Sequence, residues 1–156
     1  MSNYVEVLLV EDNPQDVELT LHAFKKNNLT NEIKVVRDGA EALDYLFSEG
    51  EYETGGAELM PRVIMLDLKL PKVDGLEVLN QIRGDERTRR VPVVVLTSSH
   101  EESDIMRSYD LGVSSYIVKP VDFDQFTDAV RAMGFYWLLL NEPPVPVAVV
   151  VERNKA

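Results

Sequence analysis

The sequence predicts an α/β fold in which a parallel sheet carries helices on both faces. Three observations lead to this prediction. Short apolar runs recur along the 156 residues and end at polar or turn-forming residues. The segments between them place apolar residues three or four positions apart, which is the spacing of an amphipathic helix. The two kinds of segment alternate five times, and parallel strands need such crossover helices between them.

The first two strand–helix pairs are short and clearly bounded. Residues 5–10 form an apolar run for strand one, and Pro14 suits the first turn of the helix that follows. Strand two is predicted at 33–36, and a second helical face runs from 40 to 47. The polar segment 48–61 is predicted to be a long loop, into which the second helix can continue as far as Tyr52.

The third strand has the most distinctive sequence. Residues 63–66 are all apolar, and the run ends at Asp67. A continuous apolar run of this kind suits a strand that is buried on both faces. Strand four is predicted at 91–96 and strand five at 115–118. Helix three is predicted on Leu76, Leu79 and Ile82, and helix four on Glu102, Ile105, Met106 and Tyr109. Helix five is predicted to begin at an Asp122–Gln125 capping box and to run through Phe126, Val130, Met133, Trp137 and Leu140.

Composition excludes several classes of function. The formal net charge of -11 argues against nucleic-acid binding, which needs a basic surface. The absence of cysteine excludes disulfides, thiolate catalysis and zinc–thiolate sites. Neither a signal peptide nor an apolar run long enough to span a membrane is present in the sequence. These features predict a cytoplasmic protein that binds neither nucleic acid nor membrane.

Polar side chains follow four of the five predicted strands. Glu11 and Asp12 follow strand one, Asp67 follows strand three, Thr97 follows strand four, and Lys119 follows strand five. Each one alone has an ordinary structural explanation, but in a parallel sheet these strand ends share one edge and can converge there. Three close carboxylates repel one another without a cation, and Mg²⁺ prefers oxygen ligands. A carboxylate nucleophile, a metal, an ammonium and a hydroxyl are the components of phosphoryl transfer through an aspartyl phosphate.

From about residue 5 to residue 140, the sequence resembles the receiver domains of two-component response regulators. The residues that carry the resemblance are Glu11-Asp12, Asp67 with Pro71 and Asp74-Gly75, Thr97-Ser98, Tyr116 and Lys119-Pro120. The resemblance implies a flavodoxin-like (βα)5 fold with strand order 2-1-3-4-5. It also implies that Asp67 accepts a phosphoryl group from a sensor histidine kinase. Glu11, Asp12 and Asp67, with the backbone carbonyl of Lys69, would then hold Mg²⁺.

The same resemblance implies a switch at the other strand ends. Lys119 and Thr97 would contact the phosphoryl group. Tyr116 would be the aromatic switch residue, moving inward when Thr97 is drawn to the phosphate. The face made of helix 4, strand 5 and helix 5 would then change shape for signalling between proteins. Intrinsic autophosphorylation and slow loss of phosphate to water, both with Mg²⁺, are expected.

Residues 1–140 are predicted to be the receiver domain, and 141–156 a C-terminal tail. No output domain fits in the residues after 140, so output is expected through protein contacts of the receiver. The apolar segment 145–151 is expected to pack on its own domain or on a partner subunit. The long loop and the tail are similar to the small regulators paired with bacterial phytochrome kinases. That narrower resemblance implies a phytochrome-type kinase as partner, and a homodimer.

Two other classes of function share parts of this residue set. A haloacid-dehalogenase-like phosphatase also uses an aspartyl phosphate, but it typically has a second Asp two positions after the nucleophile, where Lys69 stands. A binding module could keep the fold and lose phosphorylation. The complete set of acidic residues, hydroxyl and lysine argues against that alternative.

Overall fold

The predicted parallel sheet is present, with its strands in the order β2-β1-β3-β4-β5. A computed structural model describes residues 4–29, 31–57 and 59–144. Its strands are β1 (Val7–Val10), β2 (Ile33–Val36), β3 (Val63–Leu66), β4 (Val93–Thr97) and β5 (Ser115–Val118). Its helices are α1 (Pro14–Lys26), α2 (Gly39–Phe47), α3 (Gly75–Gly84), α4 (Glu102–Asp110) and α5 (Phe123–Phe135), with a 3-10 turn at Gly50–Tyr52 and a π-helical segment at Tyr136–Leu140.

The sheet has one apolar core on each face, because successive side chains of a strand point to opposite sides. Leu8 and Val10 join the core that α2 and α3 cover, and Val7 and Leu9 join the core that α1 and α5 cover. All four residues of β1 and of β3 are buried. This is why both strands are continuous apolar runs in the sequence.

Strand register places the carboxyl ends of the central strands side by side. Leu66 at the end of β3 pairs with Val10 on one side and with Val95 on the other. The backbone N–H of Asp67 then donates to the carbonyl of Val10, at 3.1 Å. Glu11 and Asp67, the residues that follow these two strands, therefore lie beside each other at one edge of the sheet.

Local signals set the starts of most helices. Four of the five α-helices begin after a side chain that accepts a backbone N–H, which satisfies otherwise unpaired donors. Those N-cap residues are Asn13, Asp38, Asp74 and Asp122. The capping interaction predicted between Asp122 and Gln125 is present, with the Gln125 N–H at 3.0 Å from the carboxylate.

Helices four and five are present as predicted, and the structure shows which of their residues are buried. Met106 and Tyr109 on α4 are exposed by 65% and 54%, and Ser108 is the residue of this helix that is buried. Leu140 is 68% exposed and Leu138 is buried in its place. The π-helical segment explains the exchange, since its wider turn advances the register beyond Phe135.

Strand four begins later than predicted, because β4 starts at Val93 and not at residue 91. Within the ranges described, no helix is long and apolar enough to cross a membrane. Residues 145–156, which make up most of the predicted tail, lie outside the described residues. The domain boundary at residue 140 and the packing of the tail therefore stay predictions.

Candidate functional site

Three carboxylates converge at the carboxyl edge of the sheet. Glu11, Asp12 and Asp67 each place one oxygen within 4.8 Å of the others. Glu11 and Asp67 are buried, whereas Asp12 is exposed. This set of oxygen donors, open to solvent on the Asp12 side, fits a hard divalent cation such as Mg²⁺, which keeps part of its water shell.

Lys119 supplies the positive charge within this cluster. Its ammonium lies 2.8 Å from Glu11 Oε1, 2.8 Å from Asp16 Oδ2 and 3.1 Å from Asp67 Oδ2. Burial opposes the charge, but hydrogen bonds with Asp16 and Glu11 outweigh it and hold the pKa of Lys119 above its ordinary value. Lys119 therefore stays a cation across the physiological pH range.

Glu11 is the most perturbed acid at the site. Burial raises the pKa of its carboxyl to about 7, while the hydrogen bond from Lys119 works in the opposite direction and the charge of Asp67 adds to the increase. The backbone N–H of Asn13 also donates to Glu11 Oε2, at 3.2 Å. Without a metal, this carboxyl can hold a proton near neutral pH, and a divalent cation bound to it would displace that proton.

Thr97 and Tyr116 both contact the loop between β4 and α4 at Ser99. Thr97 is fully buried at the end of β4, and its Oγ1 lies 3.5 Å from the backbone nitrogen of Ser99. The half-buried Tyr116 donates its hydroxyl to the carbonyl of Ser99, at 2.9 Å. Burial raises the pKa of the Tyr116 hydroxyl, so it stays protonated and able to donate.

The backbone of Lys69 contacts the site, and its side chain contacts α4. Its backbone N–H donates to Asp67 Oδ1 at 3.3 Å, while its ammonium lies 3.5 Å from Asp104 Oδ2. Asp104 also accepts a hydrogen bond of 2.6 Å from the Ser99 hydroxyl. That bond, with the charge of Lys69, holds the pKa of Asp104 below its usual value. The metal-ligand role predicted for the Lys69 carbonyl stays a prediction.

Sequence reasoning missed two residues of this region: Asp16 and Asp104. Asp16 lies in the first turn of α1, and Asp104 lies in the first turn of α4. Acidic residues are common in such turns because they complement the helix dipole. The one available signal was that Asp16 lies one helical turn beyond Asp12 in the sequence. The two histidines, His22 and His100, are exposed.

The fold and the site together define a class: a flavodoxin-like α/β domain with an acidic, metal-compatible pocket and a buried lysine at the carboxyl edge of its sheet. Residues 7–131 match the response regulator receiver domain, and the chain belongs to this family of two-component signalling domains. Receiver domains bind a divalent metal in their acidic pocket and pair with sensor histidine kinases. Membership of this family sets aside the phosphatase alternative.

Two curated relatives match most of the chain. FilR2 of Methanothrix harundinacea, a probable methanogenesis regulatory protein, is 45% identical over 90% of this chain and 88% of its own. The response regulator Rcp1 of Synechocystis is 39% identical over 85% of this chain and 88% of its own. The match to Rcp1, together with the receiver-domain match, confirms the predicted resemblance to response regulators.

Solved structures agree with the sequence relatives. The phosphorylated cyanobacterial phytochrome response regulator RcpA is 42% identical to this chain and has a TM-score of 0.83. The match covers 90% of this chain and 99% of RcpA. The Mn²⁺-bound form of Rcp1 has the same TM-score at 38% identity, with 89% of this chain and 98% of that one covered. The bacteriophytochrome response regulator RtBRR is 55% identical with a TM-score of 0.71, over 91% of this chain and 85% of its own.

Proposed function

We propose that Asp67 is the residue of this receiver domain that takes a phosphoryl group from the phosphohistidine of a sensor kinase. In that step an Asp67 oxygen attacks phosphorus, the phosphorus–oxygen bond forms, and the phosphorus–nitrogen bond to the histidine breaks. The observation that carries the proposal is the contact of the Lys119 ammonium with Asp67 and Glu11 at the same time. This ammonium holds Asp67 in place beside the metal-compatible carboxylates.

The surrounding residues have separable roles in this proposal. Glu11, Asp12 and Asp67 hold Mg²⁺, which neutralises negative charge on the phosphoryl oxygens when it is bound. Lys119 is already within 3.1 Å of an Asp67 oxygen and can follow that oxygen once it carries phosphorus. Thr97 lies at the end of β4, at the same edge of the sheet, and its buried hydroxyl is the candidate donor to a phosphoryl oxygen.

The proposed output is a change in the face formed by α4, β5 and α5. When Thr97 turns toward the phosphoryl group, its contact with Ser99 is lost, and Tyr116 holds Ser99 from the other side. Two arrangements of this loop would then be populated differently before and after phosphorylation. Met106 and Tyr109 are exposed on this face, so a partner that binds there would contact the residues whose positions change.

The proposed partners are a phytochrome-type histidine kinase and a second copy of the chain. The names of RcpA and RtBRR, which describe phytochrome and bacteriophytochrome response regulators, support the first. The exposed apolar side chains Met106 and Tyr109 on α4 and Val118 on β5 support the second.

The chain is also proposed to phosphorylate itself from small phosphodonors and to lose its phosphate slowly to water. The cytoplasmic location stays a prediction.

Intact mass after incubation with acetyl phosphate and Mg²⁺ tests the proposal. The wild-type chain and Asp110→Asn, which changes an exposed acid far along α4, should each gain one phosphoryl group, and Asp67→Asn should gain none. Light scattering on the same samples measures whether phosphorylation changes the molar mass. If the wild type gains nothing, beryllofluoride with Mg²⁺ distinguishes a strict requirement for the kinase from a receiver that no longer accepts phosphate.

A further inference from the structure

The backbone of Lys69 contacts the phosphoacceptor, whereas its ammonium pairs with a carboxylate of α4. Its backbone nitrogen lies 3.3 Å from Asp67 Oδ1, so the side chain leaves the chain at the rim of the site. Its ammonium nevertheless lies 3.5 Å from Asp104 Oδ2, on a different element of the fold. The Lys69 side chain is 59% exposed and therefore has room to take other positions.

Asp104 is much more firmly held than Lys69. Its carboxylate accepts the 2.6 Å hydrogen bond from Ser99 and is only 13% exposed. Its backbone carbonyl accepts from the hydroxyl of Ser108, at 2.7 Å, inside α4. Ser99 is itself held by Tyr116 through its carbonyl. Asp104 is thus a fixed anion in the first turn of α4, and Lys69 is the mobile member of the pair.

A phosphoryl group on Asp67 would compete with this fixed anion. It carries close to two negative charges and three strong acceptor oxygens, and it would be attached beside the residue from which Lys69 starts. An ion pair whose lysine is exposed to solvent is weak, and the long, flexible stem of lysine lets its ammonium move between two nearby anions. Asp104 and the phosphoryl group therefore share one cation.

We propose that Asp104 is a positioning residue that holds the Lys69 ammonium away from the phosphoacceptor and competes with the phosphoryl group for it. This inference rests on the function proposed above. When Lys69 moves to the phosphoryl group, α4 loses its ion pair with the loop that follows β3. Occupancy of Asp67 is thereby coupled to α4 by a second route, separate from Thr97 and Tyr116, and Asp104 lowers the affinity of the site for anions.

A double-mutant cycle on beryllofluoride affinity tests this competition. Calorimetric titration with beryllofluoride at constant Mg²⁺ compares wild type, Asp104→Asn, Lys69→Met and the double variant. Because Asp104→Asn releases Lys69, it should tighten binding about twofold to fivefold, as expected for the loss of one ion pair whose lysine is exposed to solvent. In the Lys69→Met background the same substitution should leave affinity nearly unchanged. A role of Asp104 in stability alone would not depend on Lys69 in this way.

Asp110→Asn is the matched control, because it removes the same charge from the other end of α4 and should not alter affinity. Equal tightening by Asp104→Asn in both backgrounds, or unchanged or weaker binding in the single variant, would overturn the inference. If Asp104→Asn does not fold, Lys69→Met decides alone: weaker binding supports the inference and unchanged binding refutes it. If Asp67→Asn still binds beryllofluoride as the wild type does, the proposed function itself is wrong, and this inference is wrong with it.

Discussion

The ammonium of Lys119 lies 2.8 Å from the carboxylate of Asp16, which is 103 positions earlier in the sequence. This contact ties the end of β5 to the first turn of α1. It also makes Asp16 the third carboxylate on one buried cation, beside Glu11 and Asp67. Before any metal binds, the stability of this edge of the sheet therefore depends on Lys119.

Replacing Lys119 by methionine should destabilise the metal-free protein strongly. The change leaves three carboxylates without their cation, and removing one partner of a buried ion pair costs about 3 kcal/mol or more. Urea unfolding at pH 8 with EDTA measures the loss. Lys25→Met, which changes an exposed lysine at the end of α1, should lower the free energy of unfolding by less than about 0.5 kcal/mol. Similar losses in the two variants would contradict the account of Lys119.

The stability of the metal-free protein should fall as the pH rises toward neutrality. Glu11 has a folded-state pKa of about 7, against an ordinary value of 4.5. The folded state therefore binds this proton more tightly than the unfolded state does, and the contribution is lost as pH rises through about 7. Urea unfolding from pH 5 to pH 8 with EDTA measures the slope. Glu11→Gln should remove this component, and an identical slope in that variant would assign it to other groups.

Asp12→Asn should have opposite effects with and without metal. Asp12 is exposed and belongs to the carboxylate cluster, so without a metal its charge mainly repels its neighbours. The variant should be more stable than wild type in EDTA by about 0.5 kcal/mol, yet lose most of the rise in melting temperature that MgCl2 produces. Asp128→Asn, on the exposed face of α5, should keep the full Mg²⁺ effect. A full Mg²⁺ effect in Asp12→Asn would exclude Asp12 as a ligand.

Gly75→Ala should displace the phosphoacceptor loop. A Cβ atom at Gly75 would lie 2.5 Å from the carbonyl oxygen of Asp67 and 2.5 Å from the Cα of Leu68. Overpacking against backbone of this kind costs about 1–3 kcal/mol, and Mg²⁺ affinity should fall with it. Gly84→Ala, at the other end of α3, meets no atom within 4 Å and should be neutral or slightly stabilising. Thermal melting with and without Mg²⁺ compares the two variants.

Much of the fold could be predicted from sequence, because local chemistry and burial agree. The apolar run Val63–Leu66 had to be a strand buried on both faces, and Asp67 had to lie at its carboxyl end. Pro14 and Asp122 marked helix starts correctly, since capping depends on a few neighbouring residues. In contrast, the burial of Leu138 in place of Leu140 could not be predicted, because it follows from a π-helical turn that no local sequence pattern indicates.

The sequence alone determined which residues end the strands, and the parallel order then required Glu11, Asp67 and Lys119 to share one edge of the sheet. The tertiary structure decided which other charges meet them there. Asp16 reaches Lys119 and Asp104 reaches Lys69 only because the first turns of α1 and α4 lie over that edge. The angle at which a helix crosses a sheet depends on packing between distant side chains, so pairings made across helix ends are absent from any local pattern.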